Sequence, residues 1–300
     1  MLNGLVLIAS FRRWLDSGAD MGTAMKPTAA THLVSDPMTK TAAVIDPVLD
    51  YEPKAGRLSM TSADALLAAI KAKGLTLAYV LETHAHADHL SAADYLRRKT
   101  GAQVAIGADI VAVQAAFIPV FEADDLAPDG GAFDRLLREG DTLPLGNLTI
   151  GVLHTPGHTP ADVTYLIGDA AFIGYTLFMP DYGTARTDFP GGDSATLYRS
   201  IQKILALPAE TRVFVGHDYL PPTRQDNRWE TTIARQRSEN IHIKTGVTEA
   251  AFVRMRDARN ATLSAPTLIL PSLQVNIRGG RLPEPSKAGR VFLKLPLTMD

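Results

Sequence analysis

The chain has 300 residues, 46% of them apolar and 21% charged, with a net charge of −2 and an isoelectric point near 6.4. That length holds one large domain or two ordinary ones, the composition excludes a disordered chain, and the charge balance gives no basic footprint for nucleic acid. No run of about eighteen apolar residues exists to span a membrane, and the absence of cysteine removes disulfides and thiolate ligands and fits a cytoplasmic protein.

Residues 1–24 read as an N-terminal extension. Leu2 to Ala9 is apolar, but Arg12 and Arg13 follow it, the wrong order for a secretory signal, and Met21 and Met25 offer alternative starts. Residues 25–300 are expected to form a single domain with a helical and irregular tail from about 225 onward. Thr31 to Ser35 and Thr41 to Asp46 look like a hairpin around the turn at Asp36-Pro37, and residues 46–53 read as loop. Ser62 to Lys73 has helical spacing of Ala65, Leu66, Ala69 and Ile70 and ends at Gly74. Leu77 to Thr83 is an apolar strand, Ser91 to Lys99 a helix, and Gln103 to Gly107 a further strand.

Residues 108–131 mix apolar pieces with Asp124-Asp125 and Pro128-Asp-Gly-Gly, which predicts a surface loop over the site. Leu143 to His154 and Asp162 to Phe178 form a second series of strands, and Ser194 to Leu207 a helix capped by Asp193 or Ser194. Arg212 to Val215 is a strand that runs into His217, and helices are expected over roughly 229–240 and 248–259. Two strand-rich halves with helices between them predict an α/β sandwich layered αββα.

Between the strand ending at Thr83 and the helix from Ser91 lies E-T-H-A-H-A-D-H. His84, His86, Asp88 and His89 fall within six positions, and three of the eight histidines are here. Residues two apart in an extended loop point the same way, so His84 and His86 can approach one ion together. Asp88 and His89 can close an adjacent position. Imidazoles with a carboxylate suit zinc or non-haem iron better than calcium or magnesium.

Two more strand ends carry histidine. In His154-Thr-Pro-Gly-His158-Thr-Pro the prolines and glycine fix the backbone of a ligand turn; His158 is the better ligand candidate and His154 the better structural one. His217 follows a glycine at the end of the Arg212 strand.

These motifs, in this order over nearly the whole chain, resemble the metallo-β-lactamase superfamily and so imply its αββα sandwich. Ala185-Arg-Thr-Asp-Phe-Pro-Gly-Gly192, His217-Asp-Tyr219 and Leu268 to Arg278 are similar to the persulfide (sulfur) dioxygenases. Met179 to Ala185 resembles the β-lactamase-hydrolase-like branch, and glyoxalase II is the close neighbour. The resemblance implies an iron-dependent oxidation of glutathione persulfide to sulfite and glutathione. It implies Fe(II), with zinc the alternative, held by His84, His158 and an aspartate. His86, Asp88, His89 and His217 would complete a two-metal site in the hydrolases and shape the pocket in the dioxygenases. Arg186 and Tyr219 match positions that hold a glutathione-like thiol, and no catalytic residue is implied beyond the metal ligands. A glyoxalase-II-type thioester hydrolase and a catalytically degraded metal- or thiol-binding protein are the rival readings, and a homodimer is left open.

One departure stands out. The family's aspartate lies in a G-D-T-L-F context, whereas this chain reads Gly174-Tyr175-Thr176-Leu177-Phe178. A carboxylate ligates at neutral pH, while a phenol must first lose a proton with a pKa near 10. An inactive or weakly active metal binder, a working site with tyrosinate or a substitute carboxylate, and a sequence change are all open. Asp169 and Asp181 are near in sequence, and neither occupies the matching position; Asp162 is a second departure from this branch, with no role attached to it.

Overall fold

The apolar side chains gather into three buried clusters separated by strands that are covered on both faces. A computed structural model describes residues 7–12, as backbone, and 28–297. In chain order its elements begin with β1 (Leu7–Arg12), β2 (Thr28–Ser35), β3 (Thr41–Ile45), β4 (Val48–Glu52), β5 (Arg57–Ser59), α1 (Thr61–Ala72), β6 (Thr76–Leu81) and β7 (Leu90–Ser91). Then come α2 (Ala93–Thr100), β8 (Gln103–Gly107), α3 (Ile110–Phe121), β9 (Arg135–Leu137), β10 (Thr142–Leu145), β11 (Leu148–His154), β12 (Val163–Ile167) and β13 (Ala170–Phe172). The chain closes with α4 (Ser194–Leu205), β14 (Arg212–Phe214), β15 (His217–Asp218), β16 (Glu230–Thr232), α5 (Ile233–Glu239), α6 (Glu249–Asn260) and α7 (Ile269–Asn276).

One large sheet runs β1-β2-β3-β6-β8-β9, with β15 also pairing β2; a second runs β10-β11-β12-β13-β14-β16; and a small third runs β5-β4-β7. Alternation along the strands decides which layer each side chain joins. In β3, Ala42 and Val44 face one cluster while Ala43 and Ile45 face another; in β13 and β14, Phe172 and Phe214 point inward and Ala171 and Val213 outward. The inward sets of both sheets form the middle cluster. The outer face of the first sheet packs on α1, α2, α3 and α7, and that of the second on α4, α5 and α6. This is the αββα sandwich expected from the sequence. Among the described residues no helix is long and apolar enough to cross a membrane.

Four expectations need correction. Residues 108–131 are not all surface loop, because Ile110, Val113, Gln114, Phe117 and Phe121 are buried at helical spacing in α3, and only the part after it is turn and irregular. Their period was hidden by apolar residues on the exposed face, including Val120. Residues 46–53 are not all loop: β4 pairs with β5 and β7, a short strand flanked by Pro47 and Pro53. The strands expected over Asp162 to Phe178 are β12 and β13 and end at Phe172, short of Phe178, and the helix expected from 229 starts at Ile233, after β16. The tail also holds a third helix, α7, which buries Leu273 and Val275. Of residues 1–24, Leu7–Arg12 pairs antiparallel with β2, and the rest of that segment lies outside the described residues.

His32 in β2 illustrates what the closed core demands. It is 1% exposed, and its Nε2 lies 3.1 Å from the Val215 carbonyl. Burial pushes its pKa down to about 4 from 6.5, against the raising effects of that carbonyl and of Asp46. The unfolded chain takes the proton more readily, so this contribution is intact above pH 6.5 and fades as pH falls toward 4. Between pH 7 and pH 5 it should amount to about 2 kcal/mol. Denaturant titrations at both pH values should show that much less acid destabilisation in His32→Gln than in the wild-type chain; equal losses would contradict it.

Candidate metal centre

Strand ends from both sheets meet at one rim of the sandwich. β6 runs out into the loop that carries His84, His86, Asp88 and His89; the turn after β11 carries His158; Tyr175 follows β13; and β15 carries His217. Two glycines make this convergence possible. Gly157 has φ +135° and sits so close to α4 that a Cβ would come within 2.4 Å of the Leu197 backbone. Gly174 has φ +52°, and a Cβ there would strike the Thr83 side chain. Only glycine meets both requirements, left-handed backbone and no side chain, so both turns are fixed against the scaffold.

The imidazoles are in mutual contact. Ring centroids lie 4.0 Å apart for His84 and His86, 4.2 Å for His86 and His89, and 5.1 Å for His84 and His158. Most have one nitrogen engaged by an acceptor and the other bare. His86 Nε2 lies 3.0 Å from Asp46 Oδ1, and His217 Nδ1 3.1 Å from Asp88 Oδ2. His158 Nδ1 donates to the Arg186 carbonyl at 2.8 Å. His84 Nδ1 meets Thr83 Oγ1 at 3.0 Å, with Asp162 Oδ1 behind it at 3.7 Å. The opposite atoms, His84 Nε2, His86 Nδ1, His89 Nε2 and His217 Nε2, are buried without partners, as is Asp88 Oδ1. So many orphaned acceptors in one place would be costly in a purely structural cluster. A carboxylate or carbonyl that fixes one ring nitrogen while the other stays free is the usual support of a metal-binding imidazole.

Electrostatics follow the same division. Burial, with the neighbouring His86 and His158, holds His84 well below its ordinary pKa; burial puts His89 and His158 at about 4. These rings are therefore neutral and keep the lone pair a cation needs. His86 differs, because although burial lowers it, the charge and hydrogen bond of Asp46 and the charge of Glu82 carry it up to about 9. Burial raises Glu82 to about 8 and Asp162 to about 7. Asp88 is held well below the usual carboxylate range, against its own burial, by His89 and His217.

His86, Asp88 and His89 offer ligand atoms that all lie within 4.8 Å of one another. The donor set thus fits a metal ion of the kind bound by histidine and carboxylate. Tyr175 stands in the middle of it. Its ring centroid is 4.8 Å from that of His84, 5.1 Å from His86, 5.5 Å from His217 and 5.9 Å from His158. Its hydroxyl donates to Asp88 Oδ2 at 2.7 Å and lies 3.0 Å from His217 Nδ1. Burial and the charge of Asp88 raise the phenol well above 10, so it stays protonated.

A family model of the metallo-beta-lactamase superfamily matches residues 36–217. The chain belongs to that superfamily. It is 52% identical to a "Probable metallo-hydrolase" of Burkholderia pseudomallei over 89% of this chain and 94% of that protein. It is also 52% identical to a "Beta-lactamase hydrolase-like protein" of Agrobacterium fabrum, of whose length it spans 61%. Human "Persulfide dioxygenase ETHE1, mitochondrial" is 29% identical over 83% of this chain and 84% of that one. The crystal structure of ETHE1 from Myxococcus xanthus superposes with a TM-score of 0.67 at 31% identity, covering 84% of this chain and 95% of that chain. The superfamily's sandwich and metal-binding rim are both present here.

Several residues that support the rim were not expected from the sequence. Asp46, with φ +51°, accepts from the Thr83 amide at 2.7 Å and from its hydroxyl at 2.8 Å while facing His86. Glu82 accepts from Ser91 Oγ and lies 3.8 Å from His86. Asn276, at the end of α7, accepts from the Ser91 amide at 2.8 Å and donates to the His86 and His89 carbonyls at 2.7 and 2.8 Å. Asp162, which had no expected role, backs His84 and accepts from the Thr159 amide. His154 is structural as expected, with Nε2 3.0 Å from the Pro160 carbonyl.

The rim opens into a cavity of about 1020 Å³ lined by Asp88, His89, His158, Tyr175, His217, Tyr219 and Arg186, among others. Tyr219 is stacked between His217, 4.0 Å away, and Tyr182, 4.8 Å away. Arg186 lines the cavity with its fork closed: Nε and Nη2 grip Asp188 at 2.6 and 2.5 Å, and Nη1 donates to the Ser264 carbonyl at 2.8 Å.

Proposed function

We propose that the chain is a metal-dependent enzyme that oxidises the terminal sulfur of a small thiol persulfide, converting a glutathione-like persulfide, dioxygen and water into sulfite and the parent thiol. The observation that carries this reading is the bond of the Tyr175 hydroxyl to both Asp88 and His217. The likeness to the paired-metal hydrolases puts a bridging carboxylate at position 175, and a phenol that stays neutral cannot bridge two ions, although Asp88 Oδ1 and His217 Nε2 are free. Chemistry with a single metal is what this favours, with His84, His89 and His158, the rings that stay neutral, as the residues to hold it. Iron, when bound there, supplies the redox capacity that dioxygen requires.

The chain's own residues do the rest. The aromatic wall of Tyr219, Tyr182 and Phe178 keeps that side of the cavity apolar and limits water near the sulfur. His158, which lines the cavity, is fixed through Nδ1 by the Arg186 carbonyl, and Thr83 and Asp162 back Nδ1 of His84. The proposed localisation is cytoplasmic.

A thioester hydrolase is the second reading, favoured by relatives named as hydrolases at 52% identity. An oxygen electrode separates the two. Glutathione persulfide should drive oxygen uptake with sulfite formed in step. Cleavage of S-lactoylglutathione without oxygen uptake would overturn the dioxygenase reading and uphold the hydrolase.

A further inference from the structure

The cavity has a cationic wall as well as the imidazole rim. Arg186, Arg256 and Arg259 line it beside Thr184 and Ala185. Arg186 is neutralised by Asp188, and its donors are engaged. Arg256 is not so placed. It sits on α6, 1% exposed, with Nε donating to Asn260 Oδ1 at 3.0 Å and Nη1 to the Thr184 carbonyl at 3.2 Å. Its Nη2 is buried without a partner. The acid that most raises it, Asp188, is the one already gripped by Arg186. Burial and the charge of Arg259 pull Arg256 down to about 10, low for a guanidinium yet cationic at neutral pH.

Holding α6 to the Thr184 loop would need only the two donors already used. A buried guanidinium with a spare N–H and no carboxylate of its own is costly, and an anion arriving from the cavity removes that cost. The acidic side chains that line the cavity, Asp50, Glu52 and Asp88, belong to β4 and the ligand loop, so none serves this wall. We infer that Arg256, with Arg259 beside it, is a carboxylate-binding subsite of this cavity, so that the substrate is an anionic thiol or persulfide docked there by its carboxylate. The inference rests on the thiol-borne substrate proposed above and assigns its anionic end to residues other than Arg186.

Calorimetric binding of glutathione, glutathione diethyl ester and glutarate to the metal-loaded chain tests it. Glutathione should bind the wild type roughly tenfold or more tightly than its diethyl ester. Arg256→Gln should erase that preference, Arg256→Lys should restore part of it, and Arg259→Gln should weaken it several-fold. Equal binding of acid and ester by the wild type, or a preference that survives in Arg256→Gln, overturns the subsite. Should the Arg256 variants fail to fold, the wild-type comparison and Arg259→Gln decide. If glutathione does not bind but glutarate does, and Arg256→Gln loses it, the subsite stands and the glutathione-like substrate falls. Failure of every carboxylate probe to bind the wild type overturns the subsite as well.

Discussion

Tyr175→Asp is expected to raise both the bound-metal content and the persulfide-dependent oxygen uptake, with metal affinity gaining roughly tenfold or more. The wild-type phenol sits among four imidazoles and is protonated, because burial and the neighbouring Asp88 both oppose its ionisation. It therefore contributes a proton donor at a point where the resemblance to the dioxygenases implies an anionic ligand. An aspartate there removes the ring, releases Asp88 and His217 from the hydroxyl, and adds a carboxylate that needs no deprotonation at neutral pH. Tyr175→Phe separates the two effects. It frees Asp88 and His217 but keeps the ring, so its metal content should rise less than that of the aspartate variant. Metal content and oxygen uptake both unchanged in Tyr175→Asp would refute this account of position 175.

The largest loss is expected from Asn276→Ala. One side chain satisfies the Ser91 amide and the His86 and His89 carbonyls, all buried, across 185 to 190 residues of sequence. Truncation strands three backbone groups, each worth roughly 1–3 kcal/mol when left unpaired, so about 3–9 kcal/mol of stability should go. That is a large part of the roughly 5–15 kcal/mol typical of a folded chain. Metal content should fall with it, because the loop between His86 and His89 loses its anchor. Asn276→Asp, which keeps the acceptor for Ser91 but not the two donors, should lie between. The denaturant midpoint and elemental content of the three proteins check this; a loss below about 1 kcal/mol in the alanine variant would show that the clamp is dispensable.

What was legible in the sequence was what is local. His84, His86, Asp88 and His89 are so close along the chain that an extended loop must bring them together, and strand-end glycines mark where His158 and His217 join them. The layers were legible too, because strands buried on both faces are apolar throughout and the helices between them keep their own period. The supporting groups were not. Asp46 and Asn276 face the ligand loop from 37 and 190 residues away, and neither has a sequence neighbour that betrays it. Position 46 does carry one sign, a left-handed φ in a residue other than glycine, but it becomes visible only in three dimensions. α3 was missed because its exposed face is nearly as apolar as its buried one. For Arg186 a signal was available: Asp188, two residues on, is placed to close its fork. That closure directs attention to Arg256, which the sequence alone left unremarked.

Elemental analysis of the purified chain after reconstitution with ferrous iron or zinc, set beside His84→Ala and His158→Ala, tests the centre most directly. The wild-type chain should retain a tightly held metal ion through dialysis, and each alanine variant, still folded by circular dichroism, should lose it. A folded wild-type chain that retains no metal, or alanine variants that retain as much as it does, would contradict the assignment of this rim as a metal centre.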